Sequence, residues 1–121
     1  MANDFKRFTE PSVNTSAGAS ATSVYEVPST GGQAMESIVI GITLSNKSTS
    51  SVTASVFLDN YDGVNDVYIV KDATIPVGSS LEVMSGNKIV LQGDGTTNDA
   101  IKVSASSSNA LDATVSVLED V

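Results

Sequence analysis

The side chains best equipped for chemistry in this sequence are carboxylates, and they gather in two places. The run Asp59-Asn60-Tyr61-Asp62-Gly63-Val64-Asn65-Asp66 puts three carboxylates and two carboxamides into eight residues, the hard-oxygen inventory that Ca²⁺ prefers. Its spacing departs from the D-x-[DN]-x-[DN]-G pattern of calcium loops, and the twelfth position is Val70 where a glutamate is needed. It reads better as a hairpin tip turned by Asp62-Gly63, with its polar neighbours solvated. The second run, Gly93-Asp94-Gly95-Thr96-Thr97-Asn98-Asp99, has the glycines of a phosphate loop. It has no lysine to meet the phosphates and no helical pattern after it. A glycosidase pair would need a cleft that grips a sugar, and Tyr25, Tyr61 and Tyr68 are the only tyrosines.

Composition narrows the chemistry further. The sequence has no Cys and no His, which removes thiol nucleophiles, the usual zinc ligands and proton shuttles that work at neutral pH. The expectation is a protein that is not an enzyme and carries no cofactor or metal. Fourteen acidic residues against six basic ones give a formal charge of −8, which repels phosphate backbones and anionic lipid alike. Aromatics are 5% and Trp is absent, so a stacking platform for single-stranded nucleic acid or sugars is disfavoured. Lys6-Arg7 is too small a basic pair to make a nucleic-acid footprint on so acidic a body; it suits acidic groups on an adjoining protein. Neither nucleic acid nor membrane is an expected partner.

The lack of cysteine fits a reducing or an oxidising compartment equally well. After Lys6-Arg7 no apolar run follows that resembles a signal-peptide core. The most apolar window, Met35 to Leu44, is interrupted by Glu36, Ser37, Gly41 and Thr43 and is too short to cross a bilayer as a helix.

The elements that must carry these residues are strands. Apolar residues recur with period 2, and Val, Ile, Leu and Phe dominate the repeating positions. In Ser37 to Leu44 the even positions are Ile38, Ile40, Ile42 and Leu44, predicting a strand with those four in the core. Val52 to Leu58 alternates likewise, with Val52, Ala54, Val56 and Leu58 on one side; after the turn-rich Asn46 to Ser51, the two runs suggest a hairpin. Shorter runs follow at Val64 to Val70, Ser80 to Met84, Lys88 to Leu91, Ala100 to Ala105 and Ala113 to Leu118. With Ser23 to Val27 they make about eight strands. Gly31-Gly32, Asp62-Gly63, Pro76-Val77-Gly78, Ser85-Gly86-Asn87 and Gly93-Asp94-Gly95 punctuate them at roughly ten-residue intervals. The fold expected is all-β, an antiparallel β-sandwich of immunoglobulin-like or jelly-roll topology, with almost no helix.

Residues 1–19 lack alternation. They carry Phe5 and Phe8 around Lys6-Arg7, then Pro11 and a Ser/Thr/Gly/Ala tract. This predicts an extended N-terminal arm, residues 1–19, ahead of a sandwich domain at 20–121. Burying each ring is worth about 2–3 kcal/mol wherever it occurs. Phe5, Lys6, Arg7 and Phe8 are therefore the candidate protein-interface residues, the alternative being an N-terminal edge strand that completes its own sheet. With so few basic residues to blunt sheet edges, edges covered by partners in an assembly are also expected.

The succession Phe5-Lys6-Arg7-Phe8-Thr9, Ser23-Val24-Tyr25-Glu26-Val27-Pro28, Ile38 to Asn46 and Tyr68 to Leu81 resembles small virion proteins of tailed bacteriophages, especially those of marine and cyanobacterial hosts. The likeness continues through Lys88 to Leu91 and Ile101 to Val103 to Thr114 through Glu119, nearly the whole chain. The resemblance implies a β-sandwich that decorates or cements a capsid, present in many copies in the virion after assembly in the host cytoplasm. Its partners would be the major capsid protein or other virion proteins, and its own state a homotrimer or higher assembly. A neck or tail component is the nearest alternative. A carbohydrate-binding β-sandwich module is the rival from another class, weakened by the missing Trp. The likeness lies in the strand framework and carries no functional residue over.

Overall fold

The period-2 segments become antiparallel strands, nine of them among the described residues. The computed structural model describes residues 3–16, 20–28, 32, 35–60, 67–84 and 88–120. The strands are β1 (Asn3–Glu10), β2 (Thr22–Glu26), β3 (Met35–Asn46), β4 (Val52–Asp59), β5 (Val67–Ile75), β6 (Ser80–Glu82), β7 (Ile89–Gly93), β8 (Ala100–Ala105) and β9 (Leu111–Asp120). They form two packed sheets, ordered β1-β9-β3-β6, with β7 also on β3, and β2-β8-β4-β5. The protein is an all-β sandwich.

The pairings settle which sandwich. β4 pairs with β5, β3 with β6 and β7, β2 with β8, and β1 with β9, as successive rungs of one long antiparallel ribbon. The ribbon is wrapped so that β9 also meets β3 and β8 also meets β4. A folded ribbon of this order is a jelly roll, with β6 and β7 sharing the place of one strand. Val39, Ile42, Leu44, Leu91, Val115 and Val117 from one sheet face Val56, Ile75, Ile101 and Val103 from the other in a single core.

Three expectations change. The expected hairpin does not form, because β3 and β4 lie in different sheets and residues 47–51 cross between layers. Period 2 specifies which face is apolar but not which strand lies alongside. The crossing is fixed by the buried Asn46, whose Nδ2 donates to the carbonyls of Ile75 and Ser50, each at 2.9 Å, and whose Oδ1 accepts from the Ser48 amide at 2.9 Å.

The second change is in β3 itself. Its register against β9 runs Val39↔Val117 and then Gly41↔Ser116, so a bulge inserts one residue. Ser37 and Val39 point inward before it, and Ile42, Leu44 and Asn46 after it, while Ile40 is 39% exposed. Ile38 and Ile40 are therefore not on the core face. On β9 Leu111, Ala113, Val115, Val117 and Glu119 alternate inward without interruption, and β3 takes up the mismatch.

The third concerns the arm. Residues 3–10 form the edge strand β1, in continuous register with β9 from Asn3↔Asp120 to Glu10↔Ala113. Beyond it Val13 is fully buried, and the carbonyls of Val13 and Asn14 accept from the amides of Asn109 and Ala105. Residues 3–16 thus belong to the sandwich, and the division at residue 19 does not separate an arm from a body. The backbone hydrogen bonds of a sheet edge outweigh weak alternation in a strand whose partner is strongly patterned. At the opposite edge of the other sheet, Asp72 on β5 adopts φ 52° in a bulge, its amide donating to Ser55 Oγ at 3.0 Å. That kink interrupts the regular pairing edge of β5.

Candidate interaction surface

Opposite residues in an antiparallel pair share a face, so register sorts the N-terminal residues into two sets. Lys6 and Phe8 lie opposite the inward-facing Val117 and Val115, whereas Phe5 and Arg7 lie opposite Leu118 and Ser116, which point away from the core. The four candidate interface residues do not act as one group.

The inward pair closes one end of the sandwich. The Phe8 ring packs on Tyr25 with centroids 4.7 Å apart and planes tilted by 48°. The buried Tyr25 hydroxyl donates to Glu119 Oε2 at 2.6 Å and lies 2.7 Å from Ser37 Oγ. The Lys6 ammonium stands 2.9 Å from Glu119 Oε1, so the acidic partner foreseen on an adjoining protein is within this chain. Burial, reinforced by the carboxylate of Glu119 and opposed by the Ser37 contact, pushes the Tyr25 phenol well above its ordinary pKa. The hydrogen bond and charge of Glu119 raise Lys6. Glu119 is nearly inaccessible, a buried carboxylate matched by one cation and one phenol.

The outward pair belongs to a larger pattern. Phe5↔Leu118, Leu118↔Ile38 and Ile38↔Val90 place one apolar residue from each of β1, β9, β3 and β7 in a row across the sheet. Phe5 is 77% exposed and Val90 56%, while Ile38 and Leu118 are half-buried between them. On one side of this row lie Glu36 and Gln92, opposite each other and exposed. On the other side lie Arg7, opposite Ser116, and the bulged Ile40. Lys88, exposed, immediately precedes β7 with the parity of Val90, on the same side of the row as Ile40. The outer face thus reads acidic, apolar, basic along the strands.

Sequence reasoning found Phe5 and Arg7 but missed Ile38, Ile40, Leu118 and Val90. The first two it assigned to the core. One signal was present: Val117-Leu118 and Ile89-Val90-Leu91 are apolar at consecutive positions, so in a strand one member of each must point outward.

The acidic tips take a different form. Asp62 and Asp66 lie outside the described residues. Asp59 is described, and its carboxylate pairs with Lys102 at 2.9 Å. A polar hollow of about 440 Å³ beside that pair is lined by Glu26, Asp59, Thr96 and Lys102 among others. In the second tip Asp94 Oδ1 accepts from the amides of Thr97 and Thr96 at 2.7 and 2.8 Å. Those amides hold its pKa below the usual carboxylate value, and the carboxylate serves the turn itself. Among the described residues no group of three acidic side chains is arranged to hold a metal. Comparison with protein-family models, curated proteins and solved structures finds no match.

Proposed function

We propose that this protein is a structural component of a tailed-bacteriophage virion, a capsid decoration or cement protein that works through contacts between protein surfaces. The observation that carries the reading is the outward apolar row Phe5–Leu118–Ile38–Val90, four side chains from four strands aligned on a face that, Ile40 apart, is flanked by polar and charged residues. Exposed apolar residues scattered singly are ordinary, whereas a contiguous row with a polar rim marks an interaction surface. Jelly rolls recur in viral capsid and lectin domains, and the strand framework resembles small virion proteins. Both are analogies of fold, and they support the reading only alongside the surface. Many copies on a shell would make weak individual contacts sufficient through avidity.

The experiment is quantitative mass spectrometry of gradient-purified tailed-phage particles that encode the chain, with imaging by electron microscopy. Hundreds of copies distributed over the head are expected. A dozen or fewer at one vertex would move the protein to the neck or tail, and absence from washed particles would end the virion reading.

A further inference from the structure

We infer that the occupant of the outward face is a second copy of this chain, docked face to face about a two-fold axis that runs along the apolar row. The inference rests on the reading of that face as an interface and assigns it to contacts between neighbouring copies, so that the shell would be met by another surface of the chain. A two-fold contact brings a patch onto itself, so the patch must be complementary to its own rotated image. Rotation about the row lays Phe5, Leu118, Ile38 and Val90 of one copy on the same residues of the other. It also reverses the strand direction, carrying the acidic side of one copy onto the basic side of its partner. Glu36 then meets the Ile40 side of its partner, where Lys88 lies at the start of the adjoining strand β7. A face with one sign of charge on both flanks would repel its own image. This one carries opposite signs on opposite flanks of the apolar row, and among the described residues Glu36, Arg7 and Lys88 form no ion pair within the chain.

The size of the patch sets the strength. Four strands about 4.8 Å apart and three rows about 7 Å apart give, with side chains, a footprint of roughly 400 Å² per copy. Stable interfaces bury about 800 Å² on each partner. The dimer is therefore weak and depends on concentration, with a Kd of micromolar or above, a strength that suits copies held close on a surface.

Sedimentation velocity across a concentration series, with the full chain, tests this. Each copy carries a formal charge of −8, so a salt series would mix long-range repulsion with the local attraction, and a charge exchange separates them. Wild type should pass from monomer to dimer. Phe5→Ser with Val90→Ser, at two exposed positions, should raise the Kd at least tenfold with the melting curve unchanged. Glu36→Lys should weaken the dimer. Glu36→Lys with Lys88→Glu in the same chain should restore it, because each new lysine then lies near a new glutamate across the axis. A monomer at every concentration up to about 1 mM, a trimer, or a dimer indifferent to these changes overturns the inference. The two proposals fail separately. A monomer that still coats phage particles removes the second copy and leaves the virion reading, whereas a dimer absent from particles does the reverse.

Discussion

Replacing Tyr25 with Phe removes one oxygen atom from the buried end of the sandwich and leaves the ring and its contact with Phe8 in place. The lost hydroxyl is the donor to Glu119 Oε2 at 2.6 Å. A hydrogen bond to a charged group is worth about 1.5–3 kcal/mol, and a buried acceptor left without its donor adds to the loss. Tyr25→Phe should therefore destabilise the fold by about 2 kcal/mol. At about 2.1 cal/mol/K per residue the unfolding entropy of 121 residues is about 250 cal/mol/K, so the melting temperature should fall by about 8 °C. Urea unfolding of wild type, Tyr25→Phe, Glu119→Gln and the double variant should give a coupling energy of about 1 kcal/mol. The pH dependence adds an independent check. The folded-state pKa of Tyr25 is raised, so its contribution is complete below the unfolded value of about 10 and is lost as pH climbs toward the folded one. The Phe variant has no such proton to lose. The gap between the two proteins should narrow above pH 10, by up to about 1.4 kcal/mol per pH unit. A cost under about 0.5 kcal/mol at pH 8, or a gap that is constant from pH 8 to 11, would refute the bonding scheme.

Two further substitutions probe the fold. Val39→Asp places an unpaired charge at a fully buried position and should cost more than about 3 kcal/mol. Ile40→Asp, one residue on but at the bulge, should cost under about 1 kcal/mol; thermal melts showing the reverse order would mean that β3 has no bulge. Gly93→Ala should cost about 1–3 kcal/mol, because a Cβ there would overlap the carboxamide of Asn98, 2.9 Å from its Cγ. Adding Asn98→Ala should recover most of that loss, and no recovery in the same melts would place the strain elsewhere.

Much of the fold was legible because it depends on local chemistry. Ala100 to Ala105 stands as a strand with its expected bounds, since Ile101 and Val103 alternate with Lys102 and Ser104 between Asp99 and Ser106. The bulge in β3 was not legible. Ile38, Ile40, Ile42 and Leu44 form a perfect period-2 series, but the strand between β9 and β7 must satisfy two registers at once. The pairing with β9 drops a residue between Val39 and Gly41. That phase shift arises from a partner more than seventy positions away in sequence. The strand β1 stood only as the alternative to an extended arm for a related reason: Asp4, Lys6, Phe8 and Glu10 share its inward parity, a mixture that has no apolar period until Glu119 is known to accept Lys6.

The candidate surface was half visible for the same physical cause. Types and spacing within residues 5–8 drew attention to aromatic and basic side chains, and parity alone then divides them, Phe5 and Arg7 outward and Lys6 and Phe8 inward. Their partners in the row come from β9, β3 and β7, and nothing in the local sequence of any one strand ties it to the others. A row across a sheet is a property of register, and here β9 sets the register by pairing with β1 on one side and β3 on the other. A one-residue slip of β9 against either neighbour would send Leu118 into the core and Val117 outward, breaking the apolar row and the buried contacts of Glu119 together. The bonds that Glu119 makes with Tyr25 and Lys6 oppose that slip. The buried polar end of the sandwich thus fixes the alignment of the residues on its outer face.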